Sequence, residues 1–244
     1  MNRAEIYAIL DKFAPQELAE KWDCVGALVE TNQTEIKKVM LALTVTNDVV
    51  NQALQQKCDM ILSHHPLFFV PFEYKCINIF SAHTNLDRTQ GGTTDTLIAD
   101  LGYKSYTILN ERETALPFLR YVDVKTTVKD FANILRKVSP NLRYVNNLGI
   151  EELEKIAFCA GSGSEFIKEA HDNGADAFVT GDLKFHTALD SQIVVFDIGH
   201  FESEILVLKV FENLLKDKVE IVYAQEKSPF VYRKIKQQKK NIDN

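Results

Sequence analysis

The sequence is poor in cysteine and has no long apolar run, and each absence excludes a class of protein. Its four cysteines, Cys24, Cys58, Cys76 and Cys159, are widely spaced and form no C-x-x-C pair. Neither a disulfide framework nor a zinc ribbon is therefore expected. The longest apolar stretches fall well short of the ~20 residues that a membrane helix needs. Because MNRAEIYAILDKFAP has acidic residues where a signal peptide has its apolar run, we expect a cytoplasmic protein without a membrane partner.

Positive charge is also scarce. The chain has 28 Lys and Arg against 34 Asp and Glu, and its net charge of −6 makes a nucleic-acid partner unlikely. The one basic cluster, KIKQQKK at 234–240, is interpreted as a solvated tail. With 244 residues, of which 45% are hydrophobic and 25% charged, the composition is that of a globular protein with a substantial core.

Apolar strand patterns alternate with helical patterns along the chain. Strands are expected at 39–45, 59–63, 79–83, 104–108, 119–124, 156–160, 176–180, 193–198 and 219–224. Helices are expected at 3–13, 16–21, 46–57, 94–101, 127–138, 164–174 and 201–216. This alternation predicts an α/β protein whose sheets are covered on both faces. A boundary near residue 125 would divide the chain into two interlinked lobes, 1–125 and 126–244.

Four polar segments follow expected strands directly: SHHP, AHTNLD, TGDLKFH and DIGHFESE. They contain five of the six histidines, His64, His65, His83, His186 and His200, together with several carboxylates. Because open α/β sheets bind ligands at the carboxyl ends of their strands, we expect these segments to form one site. Imidazole and carboxylate together suit divalent first-row metals. The sequence therefore predicts a metal site.

The spacing of these residues indicates which of them could bind the same metal ion. His200 and Glu204 are four residues apart, so on a helix they project from the same face as two possible ligands. His64 and His65 are adjacent at the exit of a strand and point in divergent directions. Each could then serve a different one of two neighbouring ions.

Several residues allow a second interpretation. Asp87 is either a ligand or an Asx-turn residue, and His83 is either a ligand or a partner of one. Asp182 and His186 could cap a helix or orient a ligand. The glycine pattern GSGSEF at 161–166 could cradle a phosphate at a helix N-terminus, although it has no P-loop lysine.

Five motifs in order, ILSHHPLFF, SAHTNLDRTQGG, AGSGSEFI, GADAFVTGDLKFH and DIGHFESE, resemble the NGG-interacting-factor-three-like family in its short bacterial form. Many of its members are described as type 2 homologues of GTP cyclohydrolase I. The resemblance implies a three-layer α/β/α fold of two related lobes with mixed sheets. It also implies a dimetal cleft between the lobes and a toroidal homohexamer. Carried over by position, the metal ligands would be His64, His65, Asp87, His200 and Glu204, with Glu204 bridging.

The chain departs from the family pattern at a few positions outside that ligand set. Thr44 stands where an aspartate is common, Cys24 and Ala27 alter the D-N-x-G-L pattern, and Thr94 replaces a frequent asparagine. None of the four is a ligand in the resemblance. The departures therefore concern the surroundings of the centre.

The resemblance implies a hydrolase with two divalent ions per subunit, which could be Zn, Fe, Mn or Ni. The specific reaction would open the guanine imidazole ring of GTP, release formate and give dihydroneopterin triphosphate. His83 or His186 would move protons, since histidine titrates near neutral pH. Two alternatives stay open: a dimetal phosphoesterase or nucleotide hydrolase, and a non-enzymatic hexamer that binds or delivers metal.

Overall fold

A computed structural model of the chain describes residues 1–109 and 117–232, which contain two five-stranded sheets. The basic cluster at 234–240 lies outside the described residues. The strands are β1 (Gly26–Val29), β2 (Lys38–Ala42), β3 (Met60–Ser63), β4 (Asn78–Ser81), β5 (Arg120–Thr127), β6 (Arg143–Val145), β7 (Glu152–Phe158), β8 (Ala177–Thr180), β9 (Val194–Asp197) and β10 (Glu220–Tyr223).

Helices connect most of these strands. They are α1 (Arg3–Phe13), α2 (Asn47–Gln55), α3 (Thr84–Arg88), α4 (Thr93–Asp100), α5 (Val128–Leu135), α6 (Ile167–Asp172), α7 (Phe185–Asp190), α8 (His200–Glu204) and α9 (Leu208–Leu215). Local capping explains where several begin: the Asn2 side chain accepts from the amide of Ala4, and Thr46 caps α2 in the same way. Within the described ranges, no helix is long and apolar enough to cross a membrane.

The first sheet has the strand order β1-β4-β3-β2-β10, in which only the edge strand β1 is antiparallel to its neighbour. Residues of β2 alternate between its two faces. Leu41 packs with α1 and α9 residues such as Leu10 and Phe211, and Met40 packs with α2 residues such as Val49 on the other face. Helices therefore cover both faces of this sheet.

The second sheet has the order β5-β7-β8-β9-β6, with three parallel central strands and an antiparallel strand at each edge. Phe131 of α5 packs with Phe158 and Phe196 on one face, and Ala170 of α6 packs with Phe178 on the other. The predicted α/β class, with mixed sheets in two lobes and three layers, is confirmed.

Three strands differ from the sequence-based expectation. The strand expected at 104–108 is only an isolated bridge between Thr107 and Tyr121, while β1 and β6 are present without having been predicted. The lobe division at residue 125 stays a prediction. Strand β5 runs across that position, and β10, from the second half of the chain, lies beside β2 in the first sheet.

Candidate metal centre

The carboxyl ends of strands from both sheets meet at one place. His64 and His65 directly follow β3, and His83 precedes α3, which carries Asp87. His200 and Glu204 begin and end α8, shortly after β9 of the second sheet. His65 and His200 bring the two halves into contact, with their Nε2 atoms 3.3 Å apart. The five predicted ligands, His64, His65, Asp87, His200 and Glu204, therefore lie in one cluster.

Glu204 is at the middle of this cluster, and its two carboxylate oxygens face different partners. Oε2 lies 2.8 Å from His65 Nε2 and 2.9 Å from His200 Nε2. Oε1 is turned toward His64, whose Nε2 lies 3.9 Å from it and 3.4 Å from Asp87 Oδ1. The ligand atoms thus separate into two groups that share one carboxylate.

Each histidine of the cluster has its Nδ1 engaged by a neighbour. For His64, Nδ1 donates to the carbonyl of Ala82 at 2.9 Å. The Nδ1 of His65 lies 2.7 Å from Thr44 Oγ1, and that of His200 lies 2.7 Å from Asp182 Oδ2. Such bonds fix the ring and leave the Nε2 lone pair for a metal.

The Nε2 atom of His64 is the clearest sign of a missing partner. The side chain is completely buried, and Nε2 makes no hydrogen bond with any described group. Buried polar atoms are nearly always satisfied, so an orphaned imidazole nitrogen beside two carboxylates fits a site for a cation. The ligand atoms of His64, His65 and His83 lie within 4.8 Å of one another, as do those of His65, His200 and Glu204. These groups could hold a metal ion.

The pKa shifts of the cluster also favour a cation site. Burial disfavours a charged His64, but the nearby carboxylates of Asp87 and Glu204 raise its pKa to about 9. Burial also opposes protonation of His200, and Glu204 and Asp182 raise the pKa of that ring to about 9. Although burial alone would raise it, the pKa of Glu204 is lowered well below its usual range by hydrogen bonds from His200 and His65 and by the nearby ring of His64. The cluster thus contains buried negative charge that favours cations.

Glycines make room for this arrangement. Gly161 has φ +68°, and a Cβ there would lie 2.0 Å from Glu204 Oε1. Its amide donates to Ser203 Oγ at 2.9 Å, and the amide of Gly163 donates to Thr180 Oγ1 at 2.9 Å. Gly161 therefore packs against Glu204, and the amides of Gly161 and Gly163 bond groups of the protein.

The two candidate proton-transfer residues lie in different places. His83 joins the cluster, with its ring centroid 5.2 Å from that of His64 and 5.7 Å from that of His65. His186 is exposed on α7 and faces a surface cavity that His171 also lines. Among the described residues, no recorded contact joins His186 to the cluster. Its role stays a prediction.

Two supporting residues were not identified from the sequence. Thr44 was noted only as a departure from the family pattern, yet its hydroxyl contacts His65. Asp23, whose side chain is fully buried, accepts from His83 Nδ1 at 3.0 Å and from the amide of Thr84 at 3.1 Å. Burial opposes ionisation of Asp23, but bonds from His83 and Thr84 lower its pKa to about 2. The only available signal was the D in the WDCVG pattern.

Sequence comparison places this chain in a known family. A family model described as Duf34/NIF3 (NGG1p interacting factor 3) matches residues 1–229. The chain is 33% identical to a GTP cyclohydrolase 1 type 2 homolog from Clostridium perfringens, over 95% of this chain and all of the relative. It is 28% identical to NIF3-like protein 1 of Drosophila melanogaster, over 93% of this chain and 88% of the relative.

Solved structures agree with the fold. Reduced HcgD from Methanocaldococcus jannaschii superposes with a TM-score of 0.80 at 28% identity, covering 93% of this chain and 98% of that one. The Staphylococcus aureus hypothetical protein SA1388 gives 0.81 at 27% identity, covering 96% and 99%. The resemblance seen in the five sequence motifs is confirmed, and the chain belongs to the DUF34/NIF3 family.

Proposed function

We propose that this protein is a divalent-metal-dependent hydrolase with a dinuclear centre. The observation that carries the proposal is the position of Glu204, whose two oxygens face two separate groups of ligand atoms. One ion would be held by His64 and Asp87 with Glu204 Oε1. The other would be held by His65 and His200 with Glu204 Oε2. The chemistry of this donor set suits Zn, Fe, Mn or Ni.

Two bound divalent ions would lower the pKa of water and polarise the group under attack. Side chains near the two ions would hold the histidine rings in place and transfer protons. Thr44 and Asp182 keep the rings of His65 and His200 in place through their Nδ1 atoms. His83 donates its Nδ1 proton to ionised Asp23, which leaves Nε2 to accept a proton on the side of the cluster. Asp23 would also stabilise the imidazolium that results.

The specific reaction that we propose is that of GTP cyclohydrolase I. Water would open the guanine imidazole ring of GTP, formate would leave, and rearrangement would give dihydroneopterin triphosphate. The names of several relatives, GTP cyclohydrolase 1 type 2 homolog, support this substrate. We assign proton transfer in these steps to His83, a proposal supported by its ring lying 5.2 Å from that of His64. His186 is the alternative named from the sequence.

The test is product release by protein loaded with Mn, Fe or Zn. Formate from GTP should appear with wild-type protein and disappear in a His200→Ala/Glu204→Ala variant. His171→Ala is the matched control, because it removes an exposed histidine outside the cluster. Wild-type protein that binds metal stoichiometrically but releases no formate would refute the cyclohydrolase proposal.

Two alternatives use the same cluster. A dimetal phosphoesterase or nucleotide hydrolase predicts orthophosphate without formate. A protein that binds or delivers metal predicts stoichiometric metal and neither product. The second alternative has one supporting observation: the side chains of His200 and Asp182 are 32% and 44% exposed, so one side of the cluster is open to solvent for ion exchange.

The proposal includes a cytoplasmic homohexamer that acts on a nucleotide or another small molecule. The four free thiols are consistent with a reducing compartment. Sedimentation or light scattering tests the assembly: a hexamer requires six times the chain mass of 27.8 kDa. A monomer or dimer at cellular concentration would refute it.

A further inference from the structure

Two large aromatic side chains are exposed beside the candidate metal centre. Trp22, the single tryptophan of the chain, is 59% exposed, and Phe68 is 65% exposed. Their ring centroids are 6.2 Å apart, with the rings tilted by 33°. The indole is also 6.2 Å from the ring of His83, which it meets edge to face at 73°. The aromatic pair is therefore continuous with the histidine cluster.

The backbone on either side of Trp22 is firmly attached to the centre. Asp23 follows it and bonds both His83 and Thr84 through its fully buried carboxylate. Glu20, two residues before it, donates its amide to Thr84 Oγ1 at 2.9 Å. Trp22 is thus an exposed ring on a fixed segment. Such a ring binds a ligand without a large ordering cost.

Phe68 reaches the same place from the other side. It lies three residues after His65, on the segment that leaves β3 through Pro66. Fully burying a side chain of this size stabilises a protein by roughly 1.5–3 kcal/mol. Trp22 and Phe68 lie side by side and are largely exposed, so the protein does not gain this stabilisation at either residue. Neighbouring exposed aromatic side chains are typical of a binding surface.

We propose that Trp22 and Phe68 form a stacking subsite for a planar heteroaromatic ring, such as a purine, in the substrate of the centre. Aromatic side chains stack with every nucleobase, because every base has a π-face. A phosphate or an aliphatic chain has no such face and cannot stack on them. A ring seated on Trp22 would lie next to His83 and within reach of the ligand cluster. This inference rests on the proposed hydrolase function for the identity of its ligand as a substrate.

The test uses Trp22 itself, because the chain has no second tryptophan to contribute to the emission. Guanosine should quench the fluorescence of metal-loaded protein saturably, whereas ribose 5-phosphate and tripolyphosphate should not. Excitation near 295 nm reduces the light absorbed by the nucleoside. A parallel titration of N-acetyltryptophanamide corrects for the absorption that remains. Phe68→Ala should weaken guanosine binding about 5- to 150-fold, which corresponds to loss of one stacking partner.

Two further variants separate stacking from structural effects. By calorimetry, Trp22→Phe should keep most of the guanosine affinity and Trp22→Ala should lose it. Phe185→Ala should change nothing, because Phe185 is a 72% exposed ring on α7. If Trp22→Ala and Phe68→Ala bind guanosine as wild type does, the subsite is refuted. It is also refuted if guanosine has no effect while Trp22→Ala lowers the oligomeric mass, since the rings would then face a second copy.

The outcomes distinguish this inference from the hydrolase proposal. Saturable, Trp22-dependent guanosine binding without any formate or phosphate supports the subsite and counts against the hydrolase. Formate release with an unchanged KM in both alanine variants supports the hydrolase and refutes the subsite.

Discussion

Gly161 is the position where one added methyl group should disturb the centre most directly. In Gly161→Ala the new Cβ would lie 2.0 Å from Glu204 Oε1, whereas ordinary contact begins at 3.4 Å. The carboxylate, or the backbone at residue 161, must therefore move by about 1.4 Å. Glu204 is also fixed by His65 and His200 at 2.8 and 2.9 Å, so a shift of its carboxylate would break both contacts. We expect metal affinity to fall by more than the roughly 10–100-fold that loss of a supporting hydrogen bond costs.

Gly149→Ala is the matched control. Gly149 has the same φ of +68°, but a Cβ there would meet no atom within 4 Å. Both variants should lose roughly 1–2 kcal/mol of unfolding free energy from left-handed backbone strain. Only Gly161→Ala should lose metal, as measured by competition with a chromophoric chelator. Equal metal affinity in the two variants would refute the placement of Glu204 in the centre.

Three further changes test other parts of the structure. Thr44→Val removes the hydroxyl at His65 Nδ1, so metal affinity should fall about 10–100-fold in the same chelator assay. Arg120→Leu leaves Asp95 without its fully buried partner, and urea unfolding should show a loss of about 3–5 kcal/mol. Asp23, with a pKa lowered to about 2, contributes stability that is present above pH 4 and lost as the pH falls toward 2. Asp23→Asn should therefore flatten the acid side of the stability curve, by roughly 2 kcal/mol.

Each of these three predictions has its own control variant or an outcome that would contradict it. Thr46→Val, which removes the α2 cap, should cost ~1 kcal/mol of stability and keep metal affinity. If Thr44→Val binds metal normally, the hydroxyl does not support His65. Lys168→Ala, in an exposed ion pair, should cost less than about 1 kcal/mol, and a similarly small loss for Arg120→Leu would contradict the buried pair. A wild-type pH slope in Asp23→Asn would show that other carboxylates govern acid unfolding.

The candidate ligands could be found from the sequence because their signals are local. His64 and His65 follow an apolar strand run directly, and His200 and Glu204 have the spacing of one helix turn. These patterns depend only on the periods of strand and helix. The topology then brings strand ends together by a general rule of open α/β sheets.

The supporting partners depend on packing between distant segments, and no local pattern predicts them. Thr44 is 21 residues from His65, and Asp23 is 60 residues from His83. The same reason explains why β6, with only three residues, and the place of β10 beside β2 were not predicted. His186 follows a strand pattern like that of the other histidines. The short helix α7 nevertheless leaves it exposed.

The return of β10 to the first sheet has a consequence for synthesis of the protein. His65 and Glu204 are 139 residues apart, and β2 gains its second parallel neighbour, β10, only when residues 220–223 have been made. At about 5–20 residues per second, a ribosome needs roughly 7–28 s to extend the chain from the first of these candidate ligands to the second. During that interval β2 has an unpaired edge, and His64 and His65 lack the carboxylate of Glu204. Any metal ion that this cluster binds through Glu204 would therefore be acquired only after translation of nearly the whole chain.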